Sequence, residues 1–138
     1  MNILNPAYKG ILKLRWSAID NFLLNPYSTQ IMLFNSLISA GQFTKFGREH
    51  DFEKVGHIKD FKKLVPVNEY DDIKPYIQQM MQGEQNVLWN TPVTWFAKSS
   101  GTTSDKSKFI PVSNESLVDG HYKAAKDVLA LYYHNFPQ

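Results

Sequence analysis

A run of small hydroxyl residues between two short apolar segments sets the strongest limit on the fold of this chain. Residues 94–97 (Thr-Trp-Phe-Ala) have the β-branched and aromatic composition of a strand. Residues 108–112 (Lys-Phe-Ile-Pro-Val) form a second short apolar run, and serines and threonines around Gly101 lie between the two. The pattern predicts a two-stranded element, Thr94–Ala97 and Lys108–Val112, that flanks a hydroxyl-rich loop.

The composition of this loop suits an anion. Backbone N–H groups and serine or threonine hydroxyls can surround a phosphate, and Gly101 permits its close approach. Lys98, Lys106 and Lys108 add positive charge. From spacing alone, a plain polar connection between two strands explains the run equally well.

Two common nucleotide-binding motifs do not fit the loop. A Walker A motif ends in Gly-Lys-Ser/Thr, and Lys106-Ser107 could supply that ending. Asp105 and Ser100, however, stand where the two glycines of the motif belong. The dinucleotide fingerprint also fails, because no further glycine follows Gly101 at the required spacing.

Composition limits the class of protein. The 138 residues suffice for one domain with a modest core, and 14% aromatic residues indicate large buried surfaces. A net charge of +2 without a basic cluster argues against nucleic acid and anionic membrane as partners. The chain has no cysteine, and charges at Lys9, Lys13 and Arg15 interrupt any signal-peptide-like run. A soluble, cytoplasmic protein is expected.

Apolar residues at helical spacing predict that helices make up most of the chain, an α+β but mainly helical fold. The first helix is expected to face a core, although lysines on its other side would also suit a membrane surface. Asp71 and Asp72 are expected to stabilise a helix N-terminus rather than to act as an acid–base pair. The helices are predicted from Leu12 to Leu23, ended by Asn25-Pro26; from an N-cap at Ser28 to Gly41; from Ile58 to Leu64; from an N-cap at Asn68 to Gly83, with a kink or second beginning at Pro75; and from Ser113 or Asn114 to Asn135.

Three smaller features allow a functional or a structural interpretation. Val87-Leu88-Trp89 is a possible short strand or extended segment. His50 and His57 could form part of a metal site, but no third ligand follows at a recognisable spacing, so solvated histidines are preferred and no metal site is assigned. His121 lies on the apolar stripe of the last helix and is predicted to pack in the core. That stripe comprises Leu117, His121, Ala124, Ala125, Val128 and Tyr132.

The loop and its flanks also resemble a known family. Ser100-Gly101-Thr102-Thr103 followed by Lys108 resembles the phosphate loop of adenylate-forming enzymes. The longer segments around it are similar to the Gretchen Hagen (auxin-responsive promoter) family of acyl-acid–amido synthetases. They are Pro92–Thr103, Lys108–Pro111, Phe61–Val67 and Tyr70–Ile77.

The resemblance implies a ligase reaction. A carboxylic acid attacks the α-phosphate of ATP to give an acyl-adenylate, and an amine then displaces AMP; Mg²⁺ normally bridges the phosphates. Family members are several times longer, so residues 1–138 are expected to be a single incomplete domain, the N-terminal part of an adenylation domain, inactive alone. No catalytic residue is assigned. The resemblance places the phosphate-binding role on Ser99, Ser100, Gly101, Thr102, Thr103 and Lys108.

Three further expectations follow. Asp105 replaces the glycine usual in the family, and Ser107 replaces a common proline, so Asp105 is expected to weaken phosphate binding. The exposed strand edge of a fragment is expected to cause self-association, most simply as a dimer. The alternative to a ligase fragment is a mostly helical protein-interaction module with no catalytic role.

Overall fold

The computed structural model describes residues 4–100 and 107–136, with side chains from Tyr8 onwards. It is mainly helical and contains one two-stranded antiparallel sheet, as the sequence predicts. The chain divides into two compact units. One comprises Met1–Ile31 with Glu115–Gln138, and the other comprises Met32–Asn114.

The first unit is built on two long helices, α1 (Leu4–Leu24) and the C-terminal helix, labelled α6 (Lys123–Asn135). A π-helical segment, Ser116–Tyr122, leads into α6. Leu12 and Ala130, which are 4% and 1% exposed, are buried in this unit, so the core-facing interpretation of α1 is confirmed. Among the described residues, no helix is both long enough and apolar enough to cross a membrane.

The prediction for the buried face of the last helix is wrong. His121 is exposed rather than packed in the core, and Val128 and Tyr132 are exposed as well. The face of α6 that contacts α1 instead carries Asp127, Ala130 and His134. Asp127 bonds Arg15, His134 stacks on Trp16, and Ala130 between them is buried. Two causes explain why another face of the helix is buried. The π-helical turns change the angular spacing of the predicted stripe. The ion pair of Asp127 with Arg15 also turns a different face of α6 towards α1. The predicted stripe is Leu117, His121, Ala124, Ala125, Val128 and Tyr132.

Helix α2 (Pro26–Gly41) begins earlier than expected. The Thr29 N–H donates to the Asn25 carbonyl at 3.1 Å, so Asn25 is the N-cap residue and Pro26 occupies the first helical position. Ser28 therefore lies within the first turn, and its predicted role as N-cap is wrong. The predicted end at Gly41 is confirmed.

In the second unit, the described residues form three further α-helices and the sheet. Helix α3 spans Lys45–Glu49, a 3-10 turn spans Phe52–Lys54, and α4 spans Ile58–Leu64, the bounds predicted for it. Edge-to-face contacts join the aromatic residues of these elements, with ring centroids 5.4–6.0 Å apart. The rings belong to Phe34, Phe46, Phe52, Phe61 and Tyr76.

Thr44 fixes the start of α3 at a crowded position. Its hydroxyl accepts the Gly47 N–H at 3.0 Å and donates to the Gly41 carbonyl at 2.6 Å, and the side chain is fully buried. Gly47 lies so close to Gly41 that a Cβ at residue 47 would be 2.1 Å from the Gly41 oxygen. The contact therefore requires glycine at position 47.

Of the two alternatives predicted for Val87–Trp89, a short strand or an extended segment, the strand is wrong. The carbonyls of Asn86 and Val87 accept the N–H groups of Lys45 and Phe46, at 2.7 and 3.1 Å. These donors lie in the first turn of α3, where no intrahelical acceptor exists. The segment therefore supplies the hydrogen-bond acceptors for the first N–H groups of α3. Val87 itself is buried in the core with Met80 and Val93.

Helix α5 (Tyr70–Met81) presents Tyr70 towards the sheet. Its N-cap is Glu69, whose N–H donates to Asp72 Oδ2 at 2.8 Å, so the predicted cap at Asn68 is wrong by one residue. The helix is continuous through Pro75, without the second beginning that was considered. Gly83, with φ of +97°, follows the helix as predicted.

The sheet is a hairpin of β1 (Trp95–Lys98) and β2 (Phe109–Val112). The strands are antiparallel, with Trp95 opposite Val112 and Lys98 opposite Phe109. Both strands agree with the prediction to within one residue. Phe96 packs against the core of the second unit, which anchors the hairpin.

Candidate functional site

The hydroxyl-rich loop connects β1 to β2, and its two ends are held together by hydrogen bonds. The Ser99 N–H donates to the Lys108 carbonyl at 2.9 Å. The Lys108 N–H donates to Ser99 Oγ at 3.1 Å. The side chain and backbone of Ser99 therefore both fasten the end of the loop to its beginning.

These contacts define what each predicted site residue can do. Ser99 Oγ already accepts one hydrogen bond, so its hydroxyl proton is what it can offer to an anion. Ser100 is exposed at the start of the loop. The structure brings Ser99 and Lys108 together at the base of the loop. The predicted residues Gly101, Thr102 and Thr103, and also Asp105, lie outside the described residues.

Tyr70 is a site residue that the sequence reasoning did not identify. Its hydroxyl accepts the Phe109 N–H at 2.9 Å and donates to the Phe109 carbonyl at 3.3 Å. The Lys108 ammonium lies over the Tyr70 ring, 5.3 Å from its centroid. Tyr70 thus holds both the backbone and the cation at the point where the loop returns to the sheet.

The sequence contained a signal for Tyr70, although not for its contacts. It is the first residue of Tyr70–Ile77, a segment that supports the family resemblance. As the first residue of α5, it is oriented by the capping interaction between Glu69 and Asp72. The helix terminus and the loop are therefore linked through one side chain.

The histidines considered as metal ligands have structural roles. The His50 ring stacks on Phe46 with centroids 4.0 Å apart, and its Nδ1 lies 2.9 Å from the Phe46 carbonyl oxygen. His57 is exposed and occupies the N-cap of α4, where its N–H donates to Asp60. Within residues 4–100 and 107–136, no three histidine, cysteine, aspartate or glutamate side chains form a group that could hold a metal ion.

The site is positively charged and close to the surface. Lys98 is exposed at the end of β1, and Lys108 is half-buried beside Tyr70. Lys98 pairs with Phe109, the neighbour of Lys108, so the two lysines belong to opposite faces of the hairpin. At the described end of the hairpin, the groups that could contact an anion are therefore the Ser99 hydroxyl and the lysine ammonium groups.

Comparison with known proteins identifies the relatives of this chain. The model of the "GH3 family N-terminal domain" matches residues 15–138. The indole-3-acetic acid-amido synthetase GH3.2 of Arabidopsis thaliana is 33% identical over 100 residues, which are 72% of this chain and 18% of the relative. The jasmonoyl–L-amino acid synthetase GH3.5 of Oryza sativa subsp. japonica is 43% identical over 54 residues, which are 38% of this chain and 9% of the relative.

A solved structure has the same fold over most of the chain. The AtGH3.15 acyl acid amido synthetase in complex with 2,4-DB superposes with a TM-score of 0.77 at 26% identity. The match covers 89% of this chain and 21% of the synthetase. This chain thus spans about a fifth of the length of the relatives that match most of it. It belongs to the GH3 family of acyl acid amido synthetases, and residues 15–138 match the model of that family's N-terminal domain.

Proposed function

We propose that this chain is the N-terminal portion of an ATP-dependent acyl acid amido synthetase and that its hairpin carries the phosphate-binding loop. The observation that carries the proposal is the closure of the loop by Ser99 and Lys108 at the end of a family-matched hairpin. Loop ends that are already joined lower the conformational entropy that is lost when a loop binds a ligand.

The reaction proposed for the whole protein is the activation of a carboxylic acid. A carboxylate oxygen attacks the α-phosphate of ATP, pyrophosphate leaves, and the amine of an amino acid then displaces AMP to form the amide. Relatives named as indole-3-acetic acid and jasmonoyl amido synthetases support this reaction class. The acyl acid, the amine and a cytosolic location belong to the proposal.

The described residues suit a phosphate ligand. Ser99 offers a hydroxyl proton, and Lys108 offers a cation restrained by the Tyr70 ring. Mg²⁺ bound with ATP is held mainly by phosphate oxygens and water, which requires few protein ligands. Ser100, Gly101, Thr102 and Thr103 would contribute the loop itself.

The chain alone is proposed to be an incomplete domain without activity. Residues 1–138 correspond to about a fifth of the matched synthetase, so most of the contacts that could favour a transition state lie elsewhere. ATP–pyrophosphate exchange by the purified chain should therefore be undetectable with any acyl acid. Acid-dependent exchange by the chain alone would contradict this part of the proposal.

A graft into an active relative tests the loop directly. Residues 94–112 would replace the matched hairpin of the AtGH3.15 acyl acid amido synthetase, and exchange would be measured against ATP concentration. In the active graft, Ser100→Ala and Lys108→Gln should each lower kcat/KM about ten- to a hundredfold, the value of one charge-assisted hydrogen bond. Ile110→Thr is the control, because that side chain is exposed on the strand.

The outcomes separate the two functions considered. A graft that keeps exchange activity and loses it with Ser100→Ala or Lys108→Gln supports the phosphate loop. If the graft folds and neither substitution changes its activity, the loop only connects the two strands and does not bind phosphate. The interaction-module hypothesis would then be the better one.

A further inference from the structure

The chain contains one Asp-Gly pair, Asp119-Gly120, and it lies in the π-helical segment Ser116–Tyr122. Aspartate followed by glycine is the sequence at which a side-chain carboxyl group reacts most readily with the main chain, because glycine has no Cβ to shield its nitrogen. The sequence contains no Asn-Gly pair, which would react in a similar way. The Asp-Gly pair therefore marks one place where the backbone itself can be modified.

Asp119 and Gly120 are open to solvent. Both residues are exposed, and a Cβ at residue 120 would have no atom within 4 Å. Among the described residues, the Asp119 carboxylate forms no hydrogen bond or ion pair, whereas Asp127 in α6 is held by Arg15. No side-chain contact therefore keeps the Asp119 carboxyl group away from the next peptide nitrogen.

The backbone of the segment controls the reaction. Helical geometry keeps the Asp119 carboxyl carbon away from the Gly120 nitrogen, so the reaction requires the segment to open locally. Opening should cost little free energy, because none of residues 116–122 is buried and glycine is a poor helix former. The π-helical turns, which seldom extend beyond a single turn in proteins, support the same expectation.

We propose that Asp119-Gly120 is a site of spontaneous isomerisation, at which aspartate converts to isoaspartate through a cyclic imide. The Gly120 nitrogen attacks the side-chain carboxyl carbon of Asp119, a C–N bond forms, and the amide proton and the carboxyl hydroxyl leave as water. Water then adds to the imide and cleaves one of its two C–N bonds. Cleavage at the side-chain carbonyl restores aspartate, and cleavage at the main-chain carbonyl gives isoaspartate.

The modification changes the main chain where it enters α6. Isoaspartate routes the backbone through the side-chain methylene, which adds one backbone atom and leaves the original main-chain carboxyl group as an exposed carboxylate. The added atom is incompatible with regular helical hydrogen-bond spacing, so isoaspartate should lower the helix content of the segment. The site uses no residue of the proposed phosphate loop, so this inference does not depend on the proposed function.

The test follows oxygen exchange in the 138-residue chain. Each passage through the imide takes one oxygen atom from water, so incubation in H₂¹⁸O at neutral pH labels the reacting residue. Digestion after lysine yields a peptide of residues 109–123 in which Asp119 is the only aspartate, and fragmentation locates the label and distinguishes isoaspartate from aspartate. The folded chain should incorporate label within about tenfold of the rate of the urea-unfolded chain, because the segment opens easily.

Two variants separate the effect of sequence from that of structure. Asn21→Gly places the same dipeptide at the exposed Asp20 inside α1, where labelling should be at least about tenfold slower than at Asp119 in the same molecule. Gly120→Ala should slow labelling of Asp119 at least about fivefold, since alanine favours the helix over glycine by roughly that factor. The alanine side chain has open space at residue 120, so the fold should be retained.

Three results would overturn the proposal. Labelling of Asp119 that is more than about tenfold slower in the folded than in the unfolded chain would show that the segment protects the pair. Equal rates at Asp20 and Asp119 in the Asn21→Gly variant would show that the π-helical segment has no special role. Label without isoaspartate, or unchanged labelling in Gly120→Ala, would exclude isomerisation through Gly120.

Discussion

Replacement of Tyr70 by phenylalanine should loosen the base of the loop without disturbing the helix that carries it. The substitution removes one oxygen, which accepts the Phe109 N–H at 2.9 Å and donates to the Phe109 carbonyl at 3.3 Å. The ring remains, so the contact with the Lys108 ammonium is retained. The effect is therefore confined to the backbone of β2 at the end of the loop.

The expected magnitude follows from the hydrogen-bond pattern of the hairpin. Ser99 and Lys108 exchange bonds across the strands, so the N–H of the next residue, Phe109, points away from β1. Without the Tyr70 hydroxyl, a half-buried donor and acceptor have only water as a partner. The cost should be about 1–2 kcal/mol. This corresponds to an increase of roughly 5- to 30-fold in local opening.

Hydrogen exchange at the Phe109 amide is the direct assay, and Tyr76→Phe is the matched control. Tyr76 lies on the same helix, and its hydroxyl donates to Glu49 Oε2 at an exposed position. Its loss should cost less than about 1 kcal/mol and leave exchange at Phe109 unchanged. Unaltered exchange at Phe109 in Tyr70→Phe, or equal acceleration in both variants, would refute the role assigned to Tyr70.

Four other predictions address packing, pH, the loop and assembly. Gly47→Ala should lower the free energy of unfolding, measured by urea titration, by at least about 2 kcal/mol, because the new Cβ would clash with the Gly41 oxygen. Gly10→Ala is the control and should not destabilise the protein, because the space around Gly10 is open. The hydrogen bond from Arg15 lowers the pKa of Asp127 from its usual 3.8. The ion pair should therefore stabilise the fold fully above pH 3.8, and this stabilisation should be lost as the pH falls through the lowered pKa. Asp127→Asn should remove this part of the acid dependence of the urea midpoint. In the grafted synthetase, Asp105→Gly should lower KM for ATP, and an unchanged or higher KM would indicate a carboxylate that points away from the phosphates. The purified chain should form a concentration-dependent dimer by light scattering, which Trp95→Lys should weaken because that ring is 68% exposed on the sheet; a strict monomer at high concentration would contradict this.

Local signals predicted the type of each main element better than its boundaries. The hairpin and α4 were predicted closely, because alternating or periodic apolar residues are bounded there by turn residues. The caps at Ser28 and Asn68 were wrong, since several polar residues near each helix start can serve and tertiary contacts select one. The strand alternative for Val87–Trp89 was wrong, because a short apolar run that is merely buried has the same composition as a strand.

The candidate site was predictable only in part. Family-like residues indicated Ser99 and Lys108, and the structure places them at the closed base of the loop. The contacts of Tyr70 could not be inferred, because it is 39 residues from its partner Phe109 and no local pattern encodes that distance. The buried face of α6 could not be inferred either, because the choice of Asp127 over His121 depends on Arg15 in a distant helix.

The two edges of the hairpin are unequal, and this limits how the sheet can grow. On the outer edge of β2, the Tyr70 hydroxyl forms hydrogen bonds with both the N–H and the carbonyl of Phe109, and Pro111 has no N–H to donate. A further strand would find few partners there. Among the described residues, β1 pairs only with β2, so its other edge carries the backbone groups of Phe96 and Lys98 without a neighbouring strand. A strand added by a second copy or by the rest of a synthetase should therefore join β1, and the same Tyr70 that fixes the loop exit directs growth of the sheet to that side.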